Sequence, residues 1–240
     1  MTQLFANSLW NGFLMSDWIG KGIVIIQIVG SMVMVALAIG KWRGLSRITQ
    51  AVRRVTRDVM SGRDVLEYYL ARHPNGHTPL ENIYWATCER LLRLLAPDVR
   101  SLLVGRQPGV EVALTAHEMG LVKALSEHVL DEEEIRVEHG MGGIATVVAL
   151  APMLGLLGTV WGVLEAFARM GTAGDVTIQT MAPAISSALV TTVVGLIVAI
   201  PGVVLHTQLN AKARGLMSDM EGFTDDLIGR VALEFQGRVA

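Results

Sequence analysis

A chain of 240 residues that is 51% apolar and only 18% charged, with positive mean hydropathy, is a poor candidate for a soluble globule. Its formal net charge is -2 and its basic residues do not gather into one field, so nothing in the composition calls for nucleic acid as a partner. The single cysteine, Cys88, excludes an intramolecular disulfide and reads as a packed thiol.

Uncharged runs of about 18 residues or more mark candidate membrane spans. The chain has three: Gly22 to Gly40, Gly140 to Leu164 and Val176 to Leu205. A charge at the bilayer centre costs on the order of 2.5 to 3.5 kcal/mol, so runs this clean are hard to explain outside lipid. The first is not a secretory signal, because its basic residues follow the apolar stretch: Lys41, Arg43, Arg47, Arg53, Arg54 and Arg57 against Lys21 alone before it. By the positive-inside rule the N-terminus faces outward, with Trp10 and Trp18 as candidate interface anchors. The expected order is therefore a periplasmic N-terminus (1–18), a first span (19–40), a cytoplasmic helical domain (41–138), a second span (139–168), a short periplasmic loop (169–180), a third span (181–205) and a cytoplasmic C-terminal helix (206–240). The fold class is an all-α integral membrane protein whose spans continue into a cytoplasmic helical bundle.

Between Lys41 and His139 apolar residues such as Ile48, Val52, Val55 and Val59 recur at helical spacing among arginines. That helix is expected to run on until His73-Pro74-Asn75-Gly76 and to restart at Pro79 behind the capping pattern Thr78-x-x-Glu81, with Pro97 ending it. Gly105 to Gly109 reads as a loop, Glu111 to Glu138 as one long helix, and Ala211 to Gln236, with Leu216, Met220, Phe223 and Leu227 in register, as another. Asp131-Glu132-Glu133-Glu134 reads as a solvated face, since consecutive carboxylates point around a helix. His117, His128 and His139 share a face but stand about 16 Å apart, and no zinc spacing occurs, so no metal is expected. Phosphate-binding loops, nucleophile elbows and Cys/His pairings are also missing, which leaves enzyme activity and cofactors without support.

The chemistry sits in the later spans. In the second, Pro152, Gly155, Thr159, Gly162 and Ala166 recur at steps of three or four, with Gly158 beside them. In the third, Ala184, Ala188, Thr192, Gly195 and Ala199 form a matching stripe. Small residues in lipid mean close helix packing, because helices there associate through backbone proximity. Each stripe carries one threonine, Thr159 and Thr192.

The second span, Ala151-Pro152-x-Leu-Gly155-Leu-Leu-Gly158-Thr159-Val-Trp161-Gly162, resembles the MotA/TolQ/ExbB proton channel family in its TolQ/ExbB branch. The third, Ala-Pro183-x-Ile-x-x-Ala188-Leu-x-x-Thr192-x-x-Gly195-Leu-x-x-Ala199-Ile-Pro201, is similar to that family's third helix. The resemblance implies a bacterial inner-membrane homo-oligomer, a pentamer in that family, embedded in lipid around a pore. Within the pore stand two copies of a single-span TolR/ExbD-like partner. It implies that the titratable aspartate belongs to the partner and that Thr159 and Thr192 line the path. This chain departs from the pattern at Ser187, where several members carry a glutamate, and Glu165 near the outer end of the second span is a candidate replacement. The flagellar stator branch has two membrane helices before its cytoplasmic domain, where this chain has one. The alternative reading is an oligomeric membrane scaffold that uses the same small-residue packing without conducting ions.

Overall fold

A computed structural model describes residues 10–62, 64–71, 78–95, 113–172 and 178–235. Among them residues 10–15 are helical, and six further helices follow: α1 Trp18–Ser61, α2 Glu67–Ala71, α3 Pro79–Leu94, α4 Ala116–Glu138, α5 Met141–Thr172 and α6 Ile178–Phe235. Stretches long and apolar enough to cross a membrane lie in α1, α5 and α6. The chain is an all-α integral membrane protein.

Local chemistry sets the helix ends. Asp17 opens α1 by accepting the Gly20 N–H at 2.9 Å. Thr78 does the same for α3, accepting from Glu81 N at 3.2 Å with Pro79 behind it. At α4, Thr115 and Glu118 form a reciprocal capping box, so the helix begins at Ala116 and not at the expected Glu111. Gly140 separates α4 from α5 at φ 86°, a left-handed conformation that lets the chain leave one helix and enter the next without a Cβ clash. The expected loop 105–109, the His73–Gly76 break and Pro97 lie outside the described residues.

Two compact units divide the chain: Met1–Trp42 with Gly140–Asn210, and Arg43–His139 with Ala211–Ala240. The second unit is organised by ordinary apolar burial. Leu216, Met220, Phe223 and Leu227 of α6 are essentially inaccessible, as the register predicted, together with Leu45, Val52 and Val59 of α1. Helices α3 and α4 meet through a buried hydroxyl pair, Thr87 and Ser126, 2.8 Å apart. The fully buried Tyr84 donates its hydroxyl to the Val65 carbonyl and accepts from Tyr69 N at 3.0 Å.

Two expectations are corrected in this unit. Helix α1 stops at Ser61 instead of running to His73, because the Arg230 guanidinium donates to the Val59 and Gly62 carbonyls at 2.9 and 2.7 Å and so satisfies acceptors at the helix end. The acidic run 131–134 is not wholly solvated: Glu133 is buried, accepting from Asn82 Nδ2 at 2.8 Å and pairing with Arg136. A carboxylate enters a protein interior when it has such partners, and sequence periodicity does not report them.

Burial pushes the Cys88 thiol pKa up to about 12, despite a hydrogen bond with Tyr84 that opposes the shift. The reactive thiolate is therefore absent at neutral pH, and the sulfur is out of reach. Cys88 should resist iodoacetamide in the native protein at mildly alkaline pH and react fully once denatured. Mass-spectrometric counting of alkylated chains before and after unfolding checks this, and ready native labelling would contradict the packing described.

Candidate functional site

In the first unit the polar chemistry gathers where α5 crosses α6. From Ala151 onward the buried positions of α5 are Ala151, Gly155, Gly158, Gly162 and Ala166, spaced by four, three, four and four residues along one narrow face. Opposite them, α6 buries Ala188, Thr191, Gly195 and Ala199. Both faces lack bulk, and the distances show why. A Cβ added at Gly162 would lie 2.5 Å from the Ala188 Cβ and 3.3 Å from the Ala184 carbonyl. One at Gly155 would lie 2.9 Å from the Thr192 Cα, one at Gly195 2.6 Å from the Ala151 carbonyl, and one at Gly158 2.2 Å from the Thr191 hydroxyl oxygen. Four glycines thus let the two backbones touch, which is how membrane helices gain dispersion contact when lipid is as apolar as their side chains.

Close approach exposes carbonyls to side-chain donors across the helix pair. The Thr192 hydroxyl donates to the Gly155 carbonyl at 2.9 Å. Thr191 reaches the same carbonyl at 3.2 Å and its own helix at the Ala188 carbonyl, 2.7 Å away. Interhelical hydrogen bonds of this kind are worth roughly 0.6 kcal/mol on average and about 1.7 at most, so they orient the helices more than they hold them together.

The sequence-selected residues divide into those at this crossing and those beside it. Gly155, Gly158, Gly162, Ala184, Ala188 and Gly195 meet at this crossing, and Ala199 is buried one turn further along α6. Pro152 is only half-buried, and Ala151 takes the place assigned to it in the stripe. Thr159 is not in the contact either: it lies beside the buried stripe, and its hydroxyl returns to its own helix at the Leu156 carbonyl, 2.7 Å away. Thr192 stands at the edge of the seam, while its neighbour Thr191, 1% exposed, occupies the centre. Ser187 is buried and donates to the Ala184 carbonyl at 2.9 Å. Glu165 forms an i,i+4 ion pair with Arg169 on the same helix. Beside the start of α1 the Trp161 indole donates to the Asp17 carboxylate at 2.8 Å.

One participant escaped the sequence reading. Gln27 of α1 is 1% exposed, and its Nε2 donates to the Ala151 carbonyl of α5 at 3.1 Å and to the Thr191 carbonyl of α6 at 3.3 Å. The first span is therefore not simply a lipid-facing anchor. Its Ile25, Ile26, Ile28 and Val29 are exposed, but Gln27, Met34 and Ala38 are buried. The signal was present in the text: Gln27 is an amide flanked by isoleucines in the middle of an otherwise apolar run, where an unpartnered polar group is costly.

Comparison with known proteins places these helices in a context. The profile of the MotA/TolQ/ExbB proton channel family matches residues 102–222. The Tol-Pal system protein TolQ of Haemophilus influenzae is 27% identical over 218 residues, covering 89% of this chain and 89% of its own. The biopolymer transport protein ExbB of Neisseria gonorrhoeae is 40% identical over 92 residues, which cover 38% of this chain and 42% of that protein. The solved structure of C. jejuni MotAB aligns with 93% of this chain at 18% identity and a TM-score of 0.42, too loose a likeness to carry the fold.

The crossing has little room for an extra methyl group. Gly158→Ala should lower the thermal midpoint in detergent, at a cost of about 1–3 kcal/mol for overpacking a tight contact. Gly142→Ala on the same helix, where an added Cβ meets nothing within 4 Å, should leave it unchanged or slightly raised. Melting of the two variants side by side checks the contact, and equal midpoints would refute it.

Proposed function

Because this chain belongs to the MotA/TolQ/ExbB proton channel family, we propose that it is the channel-wall subunit of an inner-membrane motor. In this reading it couples the proton motive force to mechanical work on the cell envelope through a TolR/ExbD-like partner. Its relatives are channel or transport-energising proteins, and the likeness to TolQ extends over nearly the whole chain.

The observation that carries the coupling is a chemical deficit. The runs Gly22 to Gly40, Gly140 to Leu164 and Val176 to Leu205 contain no carboxylate, lysine, arginine or histidine. They offer hydroxyls, the amides of Gln27 and Gln179 and the Trp161 indole, neutral groups that can solvate a proton carrier but cannot be one. A single-span partner with an aspartate in its membrane segment supplies the missing titratable group. An oligomer of this chain, a homopentamer in this proposal, encloses two copies of that partner.

In that assembly Thr159 and Thr192 flank the α5–α6 contact and line the path. Thr159, whose hydroxyl satisfies only its own helix, is free to re-orient towards a guest. Ser187 provides a further hydroxyl one turn outward from Thr191. Glu165, engaged by Arg169, serves the outer mouth and not the buried path. The second unit, with the arginines from Arg43 onward, lies on the cytoplasmic side, and the N-terminus lies on the periplasmic side.

The decisive measurement is proton flux into liposomes containing this chain with and without its partner. The wild type should show partner-dependent flux, and Thr159→Val with Thr192→Val should remove most of it while native mass spectrometry still finds the assembly. A scaffold without conduction predicts no partner-dependent leak in any variant. Wild-type flux in the double variant would discard the threonine path.

A further inference from the structure

Gln27 is bound into the α5–α6 crossing more closely than packing requires. Both contacts of its Nε2 are backbone carbonyls on different helices, and the slot it occupies is made by glycines: a Cβ at Gly195 would come within 2.9 Å of Nε2, and one at Gly155 within 3.5 Å. Its other polar atom, Oε1, is buried without a protein partner. A leucine would fill this site without leaving a buried acceptor unsatisfied, so stability alone does not account for an amide here.

We propose that Gln27 is a positioning residue for the proton path, acting through the threonine pair of α6; this rests on the channel reading given above. The carbonyls it bridges frame the one that matters. Ala151 lies one turn before Gly155 on α5, and Thr191 immediately precedes Thr192 on α6. Between them, the Gly155 carbonyl is contacted by the hydroxyls of both Thr191 and Thr192, at 3.2 and 2.9 Å. Thr191 has a single hydroxyl hydrogen and two acceptors in reach, Gly155 and Ala188, so its choice leaves the Gly155 carbonyl shared or ceded to Thr192. The rotation and height of α6 against α5 at this turn decide that choice. By tying Ala151 to Thr191, Gln27 sets both, and with them the direction in which the Thr192 hydroxyl points.

The test uses the full chain reconstituted with its single-span partner in liposomes. It compares the wild type, Gln27→Leu, Gln27→Glu, Thr192→Val and the Gln27→Leu/Thr192→Val pair. Gln27→Leu should assemble normally yet lose about tenfold or more in partner-dependent flux, the scale expected when a path residue is misplaced without being removed. If Gln27 acts through Thr192, the pair should be no worse than Thr192→Val alone. Gln27→Glu adds a readout that a purely structural role would not move. The apolar runs contain no other ionisable side chain, so the new acid titrates alone among them. Protonated, it donates to a carbonyl as the amide does; ionised, it repels both. Because the partner's aspartate titrates in every variant alike, flux is compared with wild type at the same pH: the Gln27→Glu ratio should rise as pH falls, with assembly constant, while the Gln27→Leu ratio stays level. Wild-type flux in Gln27→Leu, additive losses in the pair, or a loss that tracks disassembly would each overturn the proposal. Absence of partner-dependent flux in the wild type overturns the channel reading itself, and is recognised before any variant is compared.

Discussion

The constraint on which the first unit depends is the absence of a hydrophobic force between helices in lipid. Leucine gains nothing by leaving a lipid tail for another leucine, so association needs backbones close enough for dispersion contact and hydrogen bonding. Four glycines meet that demand at the α5–α6 crossing, each at a point where an added Cβ would overlap the neighbouring helix. The same closeness makes carbonyls available to side chains across the pair. Packing and polarity at this crossing are thus one property: without the glycines, the Thr192 hydroxyl would not reach the Gly155 carbonyl.

That arrangement also bears on what kind of machine the chain can belong to. Its polar groups within the spans are neutral, and two of them, Thr191 and Thr192, meet at one acceptor, the Gly155 carbonyl. Membership of a proton channel family and the lack of any ionisable side chain in the apolar runs then belong together, with the charge carrier assigned to a second protein in the proposed assembly.

The second unit is organised by apolar burial with paired polar groups. Its α6 segment buries Leu216, Met220, Phe223 and Leu227 on one stripe, and polar side chains pair inside it: Thr87 with Ser126, Glu133 with Asn82 and Arg136. Arg230 and Glu234 illustrate how a helix end is written by residues far along the chain. The guanidinium takes the carbonyls at Val59 and Gly62, and the carboxylate accepts the Val65 N–H at 3.0 Å. Burial holds the Glu234 carboxyl above its ordinary range, against the opposing pull of that N–H and of Arg230.

The sequence by itself determined whatever depends on the composition or period of one segment. Apolar length marks the three spans, hydroxyl and proline chemistry marks the start of α3 at Thr78-Pro79, and small residues every three or four positions mark a packing face on α5 and α6. Only the tertiary structure decided which neighbours fill those faces. Thr191 and Thr192 are 100° apart on a helix, and nothing local tells which turns inward; the rotation of α6 against α5 puts Thr191 at the centre and Thr192 at the rim. The end of α1 at Ser61 waits on Arg230, and the burial of Glu133 on Asn82. Gln27 is the clearest case. Its partners are carbonyls 124 and 164 residues away, and backbone acceptors carry no side-chain signature by which a sequence could announce them.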